Sequence, residues 1–144
     1  PLLISTFRRI MITDIFVNLA VKDLPKSIKF FEGLGFNFNK QFTDETAASL
    51  ILGDHIYVML LTENKMKQFT ANRSLADAHS TIESILAVNV ESREAVDEMV
   101  DKAIELGAKV FREPDEYGFM YSRSIEDLDG HVWEVLWMDP KHVE

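Results

Sequence analysis

The chain has 144 residues, of which 47% are hydrophobic and 27% charged, an ordinary globular mixture in a length that suits one compact domain. A formal net charge of -9 with no basic stripe argues against nucleic acid and anionic membrane surfaces as partners, and no apolar run approaches the roughly 20 residues that span a bilayer. The absence of cysteine excludes disulfides, a thiol nucleophile and zinc–thiolate sites, and it fits a cytoplasmic location.

Residues 1–11 read as a poorly ordered leader, in which two arginines follow a short apolar stretch, the reverse of a signal peptide. Alternation then predicts a strand over 15–21, with Ile15, Val17, Leu19 and Val21 on one face and Phe16, Asn18 and Ala20 on the other. A helix follows. Asp23 is its N-cap, Pro25 sits in the first turn, Leu24, Ile28, Phe31 and Leu34 form the buried stripe, and Gly35 stands just past the end. A strand is expected over 36–42, then a hairpin of 47–52 and 56–61 about Gly53 and Asp54. Residues 63–81 are polar, with scattered Met66, Phe69 and Leu75, and read as a linker or flap.

The pattern restarts at Ile85. Leu86, Val88 and Val90 share one strand face, and Ile85, Ala87 and Asn89 the other. Ser92 caps a helix that buries Val96, Val100, Ala103 and Leu106 and ends at Gly107. A short strand over 109–112 is expected to stop at Pro114, and a loop over 115–119 carries Tyr117 and Phe119. Two strands joined by a turn at Asp127-Leu128-Asp129-Gly130 complete the pattern, and the second, 132–138, is rich in aromatic and β-branched residues. In that strand Val132, Glu134, Leu136 and Met138 share a face, so an otherwise apolar face holds one carboxylate. Burying it without a partner is costly.

The order βαβββ therefore occurs twice, in modules 12–62 and 82–138 joined by the linker 63–81, within a single α+β domain spanning 12–144. The repeat, together with VKDLPKSIKFFEGLGF at 21–36 and EDLDGHVWEVLW at 126–137, resembles the vicinal oxygen chelate superfamily, which includes glyoxalase I, bleomycin-resistance proteins, fosfomycin-resistance proteins and extradiol dioxygenases. The resemblance implies two tandem modules that curl into a cupped mixed sheet. It also implies a divalent metal held by four side chains of His, Glu or Gln type, one from each of four strands. The last of these positions falls on Glu134, and the others on Phe16, Leu60 and Ile85. Three of the four are apolar, whereas such ions take several O or N ligands. No cofactor is therefore expected, and a divalent metal only if Glu134 has ligands the sequence does not reveal. Strand parity turns His131 away from Glu134; His55, His79 and His142 lie in a turn, the linker and the tail.

Strand parity assigns Phe16, Asn18, Ile85, Asn89 and Glu134 to the cup, with Leu60 added by the resemblance. Ser122 and Ser124 join them if Ile125 faces the helices; a bulge would instead bring in Tyr121 and Arg123. Two functions follow. One is a glyoxalase-like lyase or isomerase acting on a small oxygenated molecule, with Glu134 as general base. The other is metal-free binding and sequestration of a small molecule, as in bleomycin-resistance proteins, where an acidic chain suits a cationic ligand. The fold commonly pairs, and apolar surface near Trp133, Trp137 and residues 36–42 points to a homodimer.

Overall fold

Each half of the chain opens on the same local chemistry. The computed structural model describes residues 8–142. In the first half, strand β1 (Ile15–Val21) runs into helix α1 (Leu24–Gly33), and the Asp23 carboxylate accepts from Lys26 N at 3.1 Å. In the second, strand β5 (Ile85–Asn89) runs into helix α3 (Arg93–Glu105), and Ser92 Oγ accepts from Ala95 N at 3.0 Å. Each cap satisfies a backbone donor that the first helical turn leaves free. Gly35 and Gly107 follow the two helices with φ of 97° and 114°, a left-handed turn that a Cβ would strain.

Three strands follow each helix. They are β2 (Asn37–Asn39), β3 (Ala47–Gly53) and β4 (Ile56–Thr62) in the first module, and β6 (Lys109–Glu116), β7 (Met120–Glu126) and β8 (Val132–Met138) in the second. The modules build equivalent four-stranded sheets, ordered β1-β4-β3-β2 and β5-β8-β7-β6, with β1 parallel to β4, β5 parallel to β8, and the other pairs antiparallel. Among the described residues the sheets are not hydrogen-bonded to each other, so β1 and β5 are both edge strands.

Three expectations need correction. The strand expected over 36–42 gives way after Asn39 to a turn of 3-10 helix (Lys40–Phe42), where Asn39 Oδ1 accepts from Gln41 N. The polar stretch after residue 62 begins as a short helix, α2 (Glu63–Lys67), capped by Thr62. Strand β6 continues past Pro114 to Glu116. It tolerates proline because it lies at the sheet edge and breaks register twice, between Val110 and Arg112 and again between Arg112 and Asp115. Of the leader expected over 1–11, residues 1–7 lie outside the described residues, and 8–14 have no regular structure.

One face of each sheet packs on the helices. Leu19, Val21, Leu50, Val58 and Leu60 meet Leu24, Phe30 and Phe31 of α1, while Ile125, Trp133 and Val135 meet Val96, Val100 and Ala103 of α3. The two sets join in one continuous core, with the Phe31 ring 5.7 Å from the Trp133 ring. The turn before β8 ties the modules by hydrogen bonds. Asp129 accepts from Lys22 N at 2.9 Å and from Ser27 Oγ at 3.3 Å, and His131 Nε2 contacts the Ala20 carbonyl at 2.8 Å. Within the turn, buried Asp127 accepts from Asp129 N, His131 N and Trp133 Nε1 at 3.0, 3.0 and 2.9 Å. Gly130 completes it with φ 85°, where a Cβ would sit 2.7 Å from His79 N of the segment lying against it. No helix among the described residues is long and apolar enough to cross a membrane.

Candidate functional site

Side-chain alternation leaves each sheet a second face, turned away from the helices. In the first module this face carries Phe16, Asn18 and Ala20 of β1, which pair across to Tyr57, Met59 and Leu61 of β4. Phe16 and Tyr57 stack with ring centroids 4.8 Å apart and planes inclined by 16°. Asn18 donates Nδ2–H to the Phe16 carbonyl at 3.3 Å. In the second module the face carries Ile85, Ala87 and Asn89 of β5, which pair to Val132, Glu134 and Leu136 of β8, and these in turn pair to β7, Leu136 with Ser122 and Glu134 with Ser124. Phe16 and Ile85, on the two edge strands, are 54% and 49% exposed.

Two expected site residues point elsewhere. Leu60 pairs with Leu19 and Ala48 and is 0% exposed, so it belongs to the core beneath α1; the residues of β4 on the open face are Tyr57, Met59 and Leu61. Arg123 lies on the helix side of β7 beside core residue Ile125. Its Nη1 donates to Asp97 and Asp101 of α3, both at 2.9 Å, and Tyr121 OH donates to the same Asp97 oxygen at 2.6 Å. The bulge that would have carried Tyr121 and Arg123 to the cup lies in β6 instead.

That bulge supplies the residue that sequence reasoning missed. Arg112 pairs across to Ser124, and Asp115, only three positions on, pairs to Ser122, so the break in register puts both on the open face. Arg112 Nη2 contacts Asp115 Oδ2 at 2.8 Å and Glu134 Oε1 at 3.4 Å. Glu134 is 19% exposed and Arg112 44%. The hydrogen bond and charge of Arg112 hold the Asp115 carboxyl below its ordinary value, and Asp115 in turn raises the guanidinium. Because Arg112 stands on β6 and Glu134 on β8, the guanidinium bridges across β7 above Ser124. Ser124 is 4% exposed, and its Oγ has no hydrogen-bond partner.

The metal positions implied by the resemblance can now be tested. Phe16 and Ile85 offer only carbon, the open face of β4 offers a phenol, a thioether and an alkyl chain, and Glu134 already faces a guanidinium. Among the described residues no group of three or more His, Cys, Asp or Glu side chains converges on one point. His55 bonds Asp14, His131 the Ala20 carbonyl, and His142 stacks on Phe119 at 3.9 Å. This donor set does not fit a divalent ion that takes several oxygen or nitrogen ligands.

The loop after β6 is anchored from behind. Arg93 bonds both carboxylate oxygens of Glu116 and donates to the Gly118 carbonyl at 2.8 Å, and its guanidinium lies over the Tyr121 and Trp137 rings at 5.4 and 5.2 Å. Tyr117 and Phe119 stack beyond it, 6.3 Å apart. The bond from Arg93 holds the Glu116 carboxyl down to about 2, against an ordinary 4.5. Below the ordinary value the unfolded chain takes up this proton more readily than the folded one, so Glu116 contributes stability above that value and loses it as pH falls toward about 2. Urea unfolding is therefore expected to show lower stability at pH 3 than at pH 5.5, and Glu116→Gln is expected to narrow the gap. An unchanged gap would show that the other lowered carboxyls, Asp44, Asp97 and Asp115, carry the acid response.

The family described as Glyoxalase/Bleomycin resistance protein/Dioxygenase superfamily matches residues 13–135. No curated protein matches the chain. Among solved structures, a hypothetical protein from S. aureus is 29% identical with a TM-score of 0.72, covering 88% of this chain and 95% of its own. A glyoxalase/bleomycin resistance protein/dioxygenase family enzyme from Burkholderia phytofirmans PsJN is 20% identical, with a TM-score of 0.72 and coverage of 85% and 96%. A fosfomycin resistance protein from Mesorhizobium loti is 19% identical, with a TM-score of 0.64 and coverage of 92% and 98%.

Proposed function

The chain belongs to the glyoxalase/bleomycin resistance protein/dioxygenase superfamily, and on that premise we propose that it binds a small molecule between its open sheet faces without a divalent metal. The observation that carries this reading is the bridge from Glu134 to Arg112, with carbon side chains at Phe16 and Ile85. The face is then an apolar and aromatic surface with a few polar anchors, as small-molecule sites commonly are. In a homodimer the exposed face at Phe16 of one copy meets the exposed face at Ile85 of the other, and two cups are closed. An acidic chain favours a cationic ligand through its long-range field.

Proton abstraction by Glu134, in a lyase or isomerase reaction, is the second reading. Its support is the free Ser124 hydroxyl beside that carboxylate. Turnover separates the two: the second reading requires it in the wild-type protein and its loss in Glu134→Gln, whereas the first reading has none in either.

The test is calorimetric titration of the purified protein with nickel, zinc, manganese and magnesium, paired with sedimentation at micromolar concentration. No tight metal binding by a dimer is expected. One equivalent per chain, lost in Glu134→Gln, would overturn metal-free binding, and a monomer would remove the shared cup.

A further inference from the structure

Three groups on the open face of the second module are poorly matched to one another. Arg112 contacts two carboxylates through a single nitrogen, the closer being Asp115 at 2.8 Å and the looser Glu134 at 3.4 Å. Beneath the looser contact lies Ser124, buried, with no partner for its hydroxyl. A buried hydroxyl left unpaired is destabilising, so the arrangement gains if a polar group arrives. On the far side of Glu134 stands Ala87, whose side chain is a single methyl, with the exposed Asn89 one pair along.

We propose that Arg112 is a tethered placeholder for the cation of the ligand: an incoming alkylammonium takes its place at Glu134 and donates to the Ser124 oxygen as a second partner, while the guanidinium withdraws onto Asp115. The inference rests on the small-molecule reading above and names the class of ligand. Charge balance favours the exchange. Arg112 with Asp115 and Glu134 sums to one negative charge, so a cation leaves the site neutral, whereas a carboxylate would raise it to minus two. Withdrawal breaks only the longer of two contacts, and Arg112, being partly exposed on an edge strand, is free to make it. An ammonium donates three hydrogen bonds; Glu134 and Ser124 Oγ accept two of them, and the third is left to solvent.

The exchange predicts an inverted mutational sign. Deleting a ligand-contacting residue weakens binding; deleting a placeholder strengthens it, because the competent state no longer has to be vacated. The experiment is a two-dimensional amide NMR titration with three matched probes: benzylammonium, benzamide and benzoate at constant ionic strength. Benzylammonium is expected to move the amides of Ala87, Ser124 and Glu134 in the wild-type protein. Arg112→Gln is expected to tighten it about tenfold, as for a site that is about one-tenth vacant. Glu134→Gln is expected to lose it. Lys102→Gln on α3 makes the same change in net charge away from the face, and it is expected to leave affinity within about twofold, which separates exchange from a general field effect.

Tightest binding of benzoate, lost in Arg112→Gln, would make Arg112 an anion receptor and overturn the proposal. Weaker benzylammonium binding in Arg112→Gln would also overturn it. Equal binding of all three probes would keep the binding function and remove the exchange. Perturbation of neither open face by any probe would remove both.

Discussion

Asp127→Ala is expected to lower stability by about 3–5 kcal/mol, a drop of roughly 10–15 °C in Tm. The carboxylate is buried, and burial pushes its carboxyl above the ordinary value even though three N–H groups donate to it. Alanine leaves all three donors without an acceptor, and one of them is the Trp133 indole N–H inside the core. It also loosens the turn that carries Asp129 and His131 to the first module. Asp127→Asn separates these effects. It keeps the Oδ1 acceptor for Asp129 N and His131 N but turns an amide N–H₂ toward the Trp133 N–H, so about 1–2 kcal/mol is expected. Urea midpoints measure both. Equal losses in the two variants would place the whole effect on Trp133, and a loss below about 1 kcal/mol in Asp127→Ala would show that water replaces the carboxylate.

Leu60→Ala should cost about 3–4 kcal/mol, because it opens a cavity between β1, β3 and β4 where the sheet meets α1. Phe16→Ala should cost no more than about 1 kcal/mol, the worth of its stack on Tyr57 with little burial behind it. Ligand affinity should divide the other way, falling in Phe16→Ala and holding in Leu60→Ala. Equilibrium unfolding and a binding titration on the same two variants test the assignment of faces. A Leu60→Ala protein that kept wild-type stability would return that residue to the cup.

The difference between Phe16 and Leu60 shows what the chain makes legible. β1 carries polar Asn18 among its outward residues, and β8 carries Glu134, so each strand declares which face is open. β4 reads Ile-Tyr-Val-Met-Leu-Leu, apolar on both parities, and nothing within it marks Leu61 rather than Leu60 as the outward residue. Its register beside β1, which pairs Leu60 with core residue Leu19, decides it, and that pairing is set between strands rather than within β4. The helix boundaries were legible because capping is local: Asp23, Gly35, Ser92 and Gly107 act within a few residues of their own positions. Arg112 and Asp115 were hidden because Pro114 reads as a strand terminator, whereas an edge strand can carry it through a bulge. The available signal was weak: opposite charges at a spacing of three on either side of a proline, in a stretch that period-two alternation cannot accommodate.

The ring of Trp133 against Phe31 also bears on the order in which the protein is made. The first module, with its helix and four strands, is complete by Thr62, yet the face of α1 that holds Phe31 is covered by a residue far along the chain. During synthesis that aromatic surface is exposed while the whole second module emerges, and the bonds from Lys22 and Ala20 to the last turn can form only afterwards. The early module therefore keeps part of its apolar surface without its native partner until β8 arrives to cover it.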